Sequence, residues 1–307
     1  MQSWIFTPER DPLEGIREFI NNPALRELVE LSGGTWPQKD SLGEQVAALV
    51  DFSDVWDRRK GGSRLDMVQT ANDQALADRI LFCAGQLGLV DPQPPRGGHY
   101  DWLLILGGLA TGCRSRTEFV TGLLAAGAIS TDRVCLLGSF RELHEAERAD
   151  AAAFAPEATT EVGMLQALAE HEFPSAAPWH TVREGDPAED PRAAQLSAHR
   201  DGKPALSLYA ARSSDPQRNA NSADTYRQFA KDVGLNGGRL LLISTHIYAP
   251  YQHWDAVRVL GVPHQAELET VGTPPSASRR VFDSAWYLQE TRSALRSAAA
   301  LIQVAEE

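Results

Sequence analysis

The chain of 307 residues contains three cysteines, odd in number and widely spaced. That excludes a disulfide framework and gives no zinc-ligand spacing. No apolar run approaches the roughly 20 residues a membrane helix needs. Basic runs are also missing, and the net charge is −12, which argues against sequence-independent binding to nucleic acid or anionic membrane. The opening MQSWIFTPERDPLEG has no basic stretch followed by an apolar one, so no secretory signal is expected. No H-E-x-x-H or similar spacing occurs, and no metal is expected. Internal repeats and low-complexity tracts are absent. These absences leave a cytoplasmic protein acting on a small molecule, without nucleic-acid or membrane partners. They leave the oligomeric state open, and a homo-oligomer is compatible with them.

What is present is the composition of an ordinary globular protein, 43% hydrophobic and 23% charged. Residues 1–97 read as a helical extension. Leu13 to Phe19, Leu25 to Leu31, Leu42 to Trp56 and Met67 to Leu87 carry apolar residues at three- and four-residue steps, with no strand among them. Arg64, Asp66, Gln69 and Asn72 there make either a solvated helix face or one wall of a pocket. Asp91 to Gly98, DPQPPRGG, is a linker. After it, residues 98–307 alternate strands and helices. The strands are Trp102–Leu106, Arg133–Leu137, Ala205–Ala211, Arg239–Ser244 and, at an edge, Ala266–Val271. His171 to Lys203 reads as a long polar loop, and Phe282 to Val304 as a closing amphipathic helix. The expected fold is α/β, a Rossmann-like, doubly wound, mainly parallel sheet with an N-terminal helical extension and a C-terminal helix.

The stretch Tyr100 to Gly127 organises the rest. A buried strand ends at Gly107-Gly108, and a helix capped by Thr111 follows. Gly107 and Gly112 stand five apart, but Cys113-Arg114 replaces the Lys-Ser or Lys-Thr of a P-loop, and G-x-G-x-x-G is not present. An NTPase is therefore excluded.

Ligands of open α/β sheets bind above the C-terminal strand ends. The residues just past each strand are then the candidates: Gly107, Gly108 and Thr111; Gly138, Ser139, Arg141 and Glu142; Arg212, Ser213 and Ser214; Ser244, Thr245 and His246. Hydroxyls, backbone N–H groups and guanidinium suit phosphate, carboxylate or ribose. Glu161 is either a general base or a favourable acid in a helix first turn. Cys113 sits beside arginines, which would favour thiolate, or is a small semi-buried residue. Cys83 and Cys135 read as core. Arg141 either clamps an anion or pairs with Glu145 at i+4. His246 and His253 are acid/base candidates or surface imidazoles. Tyr248, Tyr251 and Trp254 stack on a purine or pack on the sheet. Asn219, Asn221 and Thr225 read a ribose or cap the helix from Ser222.

Several short motifs together resemble the YdcF/SanA/ElyC-like domain family over roughly residues 100–262. Gly107, Gly108 and Arg116 match its first motif. Gly138 and Ser139 match the second in reversed order, Glu161 matches the helix glutamate, and Asn221 with Thr225 matches a polar segment. Ser244 and Thr245 match the end of the fourth strand. The family's His-x-x-Arg is absent. Tyr248 and Tyr251 stand in its place, with Gln252 and His253 beside them. The resemblance implies a Rossmann-like fold and, from one branch, S-adenosylmethionine as cofactor; other branches are tied to cell-envelope processes. The expectation is then an S-adenosylmethionine-using transferase or lyase. Glu161 with Tyr248 or His253 would orient the reacting group, and the ligand's acidic portion would lie near Gly107 to Thr111. The alternatives are a hydrolase or transferase of phosphorylated or sugar-nucleotide substrates, with Arg114, Arg116 and Arg141 as an anion clamp, and a non-catalytic binding module.

Overall fold

A computed structural model describes residues 4–58, 74–278 and 280–306. Arg64, Asp66, Gln69 and Asn72 lie outside them. In chain order the elements are β1 (Trp4–Phe6), α1 (Glu14–Ile20), α2 (Pro23–Leu31), α3 (Leu42–Phe52), α4 (Gln74–Gln86), β2 (Gly98–Tyr100), β3 (Trp102–Leu106), α5 (Ala110–Ala125), β4 (Ile129–Thr131) and β5 (Arg133–Gly138). Then follow α6 (Glu145–Ala151), α7 (Glu161–Glu172), β6 (His180–Glu184), β7 (Gln195–Arg200), β8 (Ala205–Ala210), α8 (Ser222–Val233), β9 (Arg239–Thr245), α9 (Ala249–Ala256), the single turn α10 (Val262–His264), β10 (Glu267–Thr273) and α11 (Ser284–Ala305).

Eight strands form one sheet in the order β1-β10-β9-β3-β5-β8-β7-β6. The five inner strands β10, β9, β3, β5 and β8 are mutually parallel. Their apolar runs are continuous because both faces are covered, and alternate side chains enter opposite cores. Leu104, Leu106, Leu240 and Leu242 meet α1–α4, α8, α9 and α11, while Leu103, Ile105, Leu241 and Ile243 meet α5, α6 and α7. The N-terminal helices therefore share one core with the sheet. From β3 the chain first builds outward through β5 to β8, then returns through α8 to lay β9 on the other side of β3. The crossover helices α5 and α7, with α6, cover one face, and α8, α9 and α11 join α1–α4 on the other, which leaves a crevice at the C-terminal ends of the central strands.

Both sheet edges differ from the sequence reading. β10 is not an edge, because β1 pairs with it antiparallel, Trp4 opposite Thr270. Three residues of WIF are too short to show a period. The polar stretch 171–203 is not all loop: β6 and β7 form a hairpin that extends the sheet beyond β8. Every residue of β6 is exposed, and a solvated edge strand carries no apolar signature.

Candidate functional site

Glu161 is positioned by the pairing of two elements. The Glu161 amide donates to the Arg141 carbonyl (3.0 Å) and the Val162 amide to the Ser139 carbonyl (3.1 Å), latching the start of α7 to the tail of β5. Thr160 caps α7, accepting from the Gly163 amide. The Glu161 side chain, 5% exposed, accepts from Ser139 Oγ at 2.7 Å and lies 3.5 Å from Arg141 Nε. Gly107 completes the nest. A Cβ there would fall 2.4 Å from the Leu137 carbonyl oxygen and 2.7 Å from Glu161 Oε1, so no other residue fits without displacing the backbone or the carboxylate.

Arg141 is gripped rather than free. Its two Nη groups donate to the Glu147 carboxylate at 2.8 and 2.9 Å, and Nη2 also donates to the Gly108 carbonyl at 2.7 Å. The partner is Glu147, not Glu145. Burial opposes the charge, yet Glu161 and Glu147 outweigh it and raise the pKa of Arg141 above its ordinary value.

Across from Glu161, Asn221 begins α8 with a reciprocal capping box to Asp224. Gln252 on α9 accepts from Tyr226 Oη (2.8 Å) and donates to Ser222 Oγ (2.9 Å) and Tyr251 Oη (2.6 Å). Its amide is fully used, so it holds the wall in place. Beside it stands Asp255, whose pKa burial pushes up in spite of the Arg258 guanidinium 3.0 Å away. Together Gly107, Gly108, Gly138, Arg141, Glu161, Asn221, Ser222, Thr225, Tyr251, Gln252, Asp255 and Ser293 line a cleft of about 330 Å³.

The other candidates lie elsewhere. Thr111, Arg116, Thr245 and Tyr248 line a smaller cavity on the opposite side of Gly108. Thr111 does not cap α5, whose N-cap position is Leu109, without a side-chain acceptor. Ser244 is buried inside β9, in register with Gly272. His253 packs against Trp4, with Nδ1 3.0 Å from Thr270 Oγ1. It lines a separate pocket and not the cleft, and burial pulls its pKa down to about 3, so it is not a proton donor near neutrality. His246 donates from Nδ1 to the Thr273 carbonyl (3.1 Å), and burial lowers its pKa to about 4. Arg212 is tied to the Ala193 carbonyl. Arg114, Arg116 and Arg141 form no common clamp, since Arg114 pairs with Glu118 and Arg141 with Glu147. Cys113 is fully buried, and desolvation raises its pKa despite Arg116. Among the described residues no cluster of His, Cys, Asp or Glu could hold a metal, and no helix is long and apolar enough to cross a membrane.

Asp255 and Ser293 are lining residues that the sequence reading missed. Asp255 with Arg258 at i+3 looks like a solvated helix pair, and Ser293 is one polar position on a long helix far along the chain. Neither carries a local signal.

Residues 7–88 match the family model described as the Rv3785 N-terminal domain. The chain is 29% identical to the uncharacterized protein Rv3785 of Mycobacterium tuberculosis (strain ATCC 25618 / H37Rv), over 97% of this chain and 92% of that one. The uncharacterized protein Mb3814 of Mycobacterium bovis matches to the same extent. No solved structure matches. These matches overturn the resemblance to the YdcF/SanA/ElyC-like family. They also reach the N-terminal helices, for which the motifs offered no counterpart. Strand-Gly-Gly and Gly-Ser ends are what close strand–helix packing demands of many doubly wound sheets, so they do not mark one family. The similarity of this chain runs instead, along nearly its whole length, to the mycobacterial Rv3785 proteins.

Proposed function

We propose that the chain is an enzyme that binds an adenosyl- or nucleoside-bearing small molecule in the cleft over β3 and β5, as a transferase or lyase with Glu161 as its base. S-adenosylmethionine is the ligand to test first. The observation that carries this reading is the charge of the lining. Two carboxyl groups border the cleft, Glu161 and the Arg258-paired Asp255, while Arg141, the one cation in the lining among the described residues, is neutralised by its fork to Glu147. Such a lining favours hydroxyls, an amine or a sulfonium over a phosphate. About 330 Å³ lies at the small end of the roughly 300–1,000 Å³ of ligand sites, suited to a nucleoside-sized body. The hydroxyls of Ser222 and Thr225 and the Tyr251 ring add partners for a ribose and a base. Three free, buried thiols favour work in a reducing cytoplasm.

The test has two stages. Millimolar S-adenosylmethionine, S-adenosylhomocysteine and adenosine are each expected to raise the unfolding temperature, and no shift from any of them removes the ligand class. Consumption of S-adenosylmethionine in a metabolite extract is then followed by mass spectrometry. Glu161→Gln is expected to keep binding and slow consumption by roughly 10²-fold or more. Equal rates would remove the base, and binding without consumption in the wild type would leave a binding module.

A further inference from the structure

We infer that the small cavity across Gly108 from the cleft is an oxyanion subsite, taking a phosphoryl or carboxylate group. Arg116 is 2% exposed. Its Nη1 donates to Thr245 Oγ1 (3.1 Å) and its Nη2 to Cys113 Sγ (3.4 Å), while Nε has no partner. Among the described residues its guanidinium meets only neutral groups and pairs with no carboxylate. Arginine does not give up its proton, and a buried charge without a counter-charge is unfavourable. Only an anion removes that penalty without changing the residue.

The surroundings supply the rest of such a site. Arg280 lines the same cavity, its guanidinium 4.3 Å from the Trp286 ring centroid, and again no carboxylate among the described residues pairs with it. Thr111 and Thr245 contribute hydroxyls, while that of Ser278 donates to the Arg280 carbonyl, and none of the lining residues is acidic. The first turn of α5, uncapped by any side chain, starts at this cavity, so its amides add donors to those of the two arginines. Gly108, with φ +151°, and Gly112 let the guanidinium come close: a Cβ on Gly108 would lie 3.1 Å from Nη2, and one on Gly112 3.4 Å from Nη1. The volume, about 30 Å³, exceeds the roughly 10–15 Å³ that one water needs. It holds one small oxyanion group and not a nucleoside.

Gly108 lines both this cavity and the cleft. A molecule with its acidic end at Arg116 and its body beside Glu161 crosses that glycine. In naming that acidic end the inference rests on the proposed function; the subsite itself does not.

The experiment uses the full chain and two probes, inorganic phosphate and acetate, in thermal unfolding at constant ionic strength. At ten times the dissociation constant, a bound anion multiplies the folded-to-unfolded ratio about elevenfold. That stabilisation is expected in the wild type with at least one probe, which also identifies the anion class. It is expected to disappear in Arg116→Met and to weaken in Arg280→Gln. Arg116→Met needs no counter-charge; should it fail to fold, Arg280→Gln carries the same comparison. No gain in the wild type, or a gain that persists in the variants as general salt stabilisation, overturns the subsite. Adenosine, which has no acidic group, probes the cleft separately. A response to adenosine without one to either anion sinks the subsite and spares the cleft, and the reverse result sinks the cleft alone.

Discussion

Lowering the pH from 7 to 5 charges two imidazoles in the unfolded chain that the fold still holds neutral. His246 is wedged between the Thr273 carbonyl, to which Nδ1 donates, and Tyr287 Oη, 3.4 Å from Nε2. His253 is sealed against Trp4 and Thr270. Burial pulls their folded pKa values down to about 4 and about 3, from roughly 6.5 in the unfolded chain. The unfolded state therefore binds more protons throughout this window, so stability rises with pH and falls as pH drops below about 6.5. Over the 1.5 units from there to pH 5, at about 1.4 kcal/mol per unit, each histidine costs about 2 kcal/mol, together about 4 kcal/mol. Asp255 acts in the opposite sense, since its raised pKa gives stability at low pH that is lost as pH rises. A variant is needed to isolate the imidazole contribution. Urea unfolding at pH 7 and at pH 5 measures it, with His253→Asn as the comparison because asparagine keeps a group near Thr270 and does not titrate. The variant is expected to lose about 2 kcal/mol less than the wild type over the same interval. Equal losses in the two proteins would refute the burial argument.

Gly107→Ala drives a methyl into the Leu137 carbonyl and the Glu161 carboxylate. It is expected to cost about 1–3 kcal/mol, read as a lower urea midpoint at unchanged slope, together with loss of binding in the cleft. Arg141→Gln leaves Glu147, 3% exposed, and Glu161 without their shared cation. A loss of about 3 kcal/mol in the same assay is expected, and a neutral result would mean that water already solvates those carboxylates. Cys113 and Cys135 are fully buried, and desolvation raises their pKa above the ordinary thiol value; it lifts that of Cys83 to about 11. All three are expected to resist iodoacetamide at pH 7.5 in the native chain and to react once urea unfolds it.

Local residue pattern was enough to place the inner sheet. The runs WLLIL, RVCLL, ALSLY and RLLLIS are apolar without a period because each strand is covered on both faces, and that pattern is local. It also determined that Gly107, Gly138, Glu161, Asn221 and Thr225 stand at strand ends or helix starts, where a doubly wound sheet gathers them. The edges escaped because the three apolar residues of β1 are too few to show a period and the fully exposed β6 carries no hydrophobic signature. Tertiary structure alone decided which polar side chains face the cleft. Arg116 and Thr245 meet 129 residues apart and are sealed on the far side of Gly108, His253 turns toward Trp4, and Asp255 and Ser293 join from α9 and α11. Spacing along the chain fixes which way a strand or helix buries its apolar side. Which charged group then finds a partner, and which is left buried without one, depends on elements that are distant in sequence and close only once the sheet is wound.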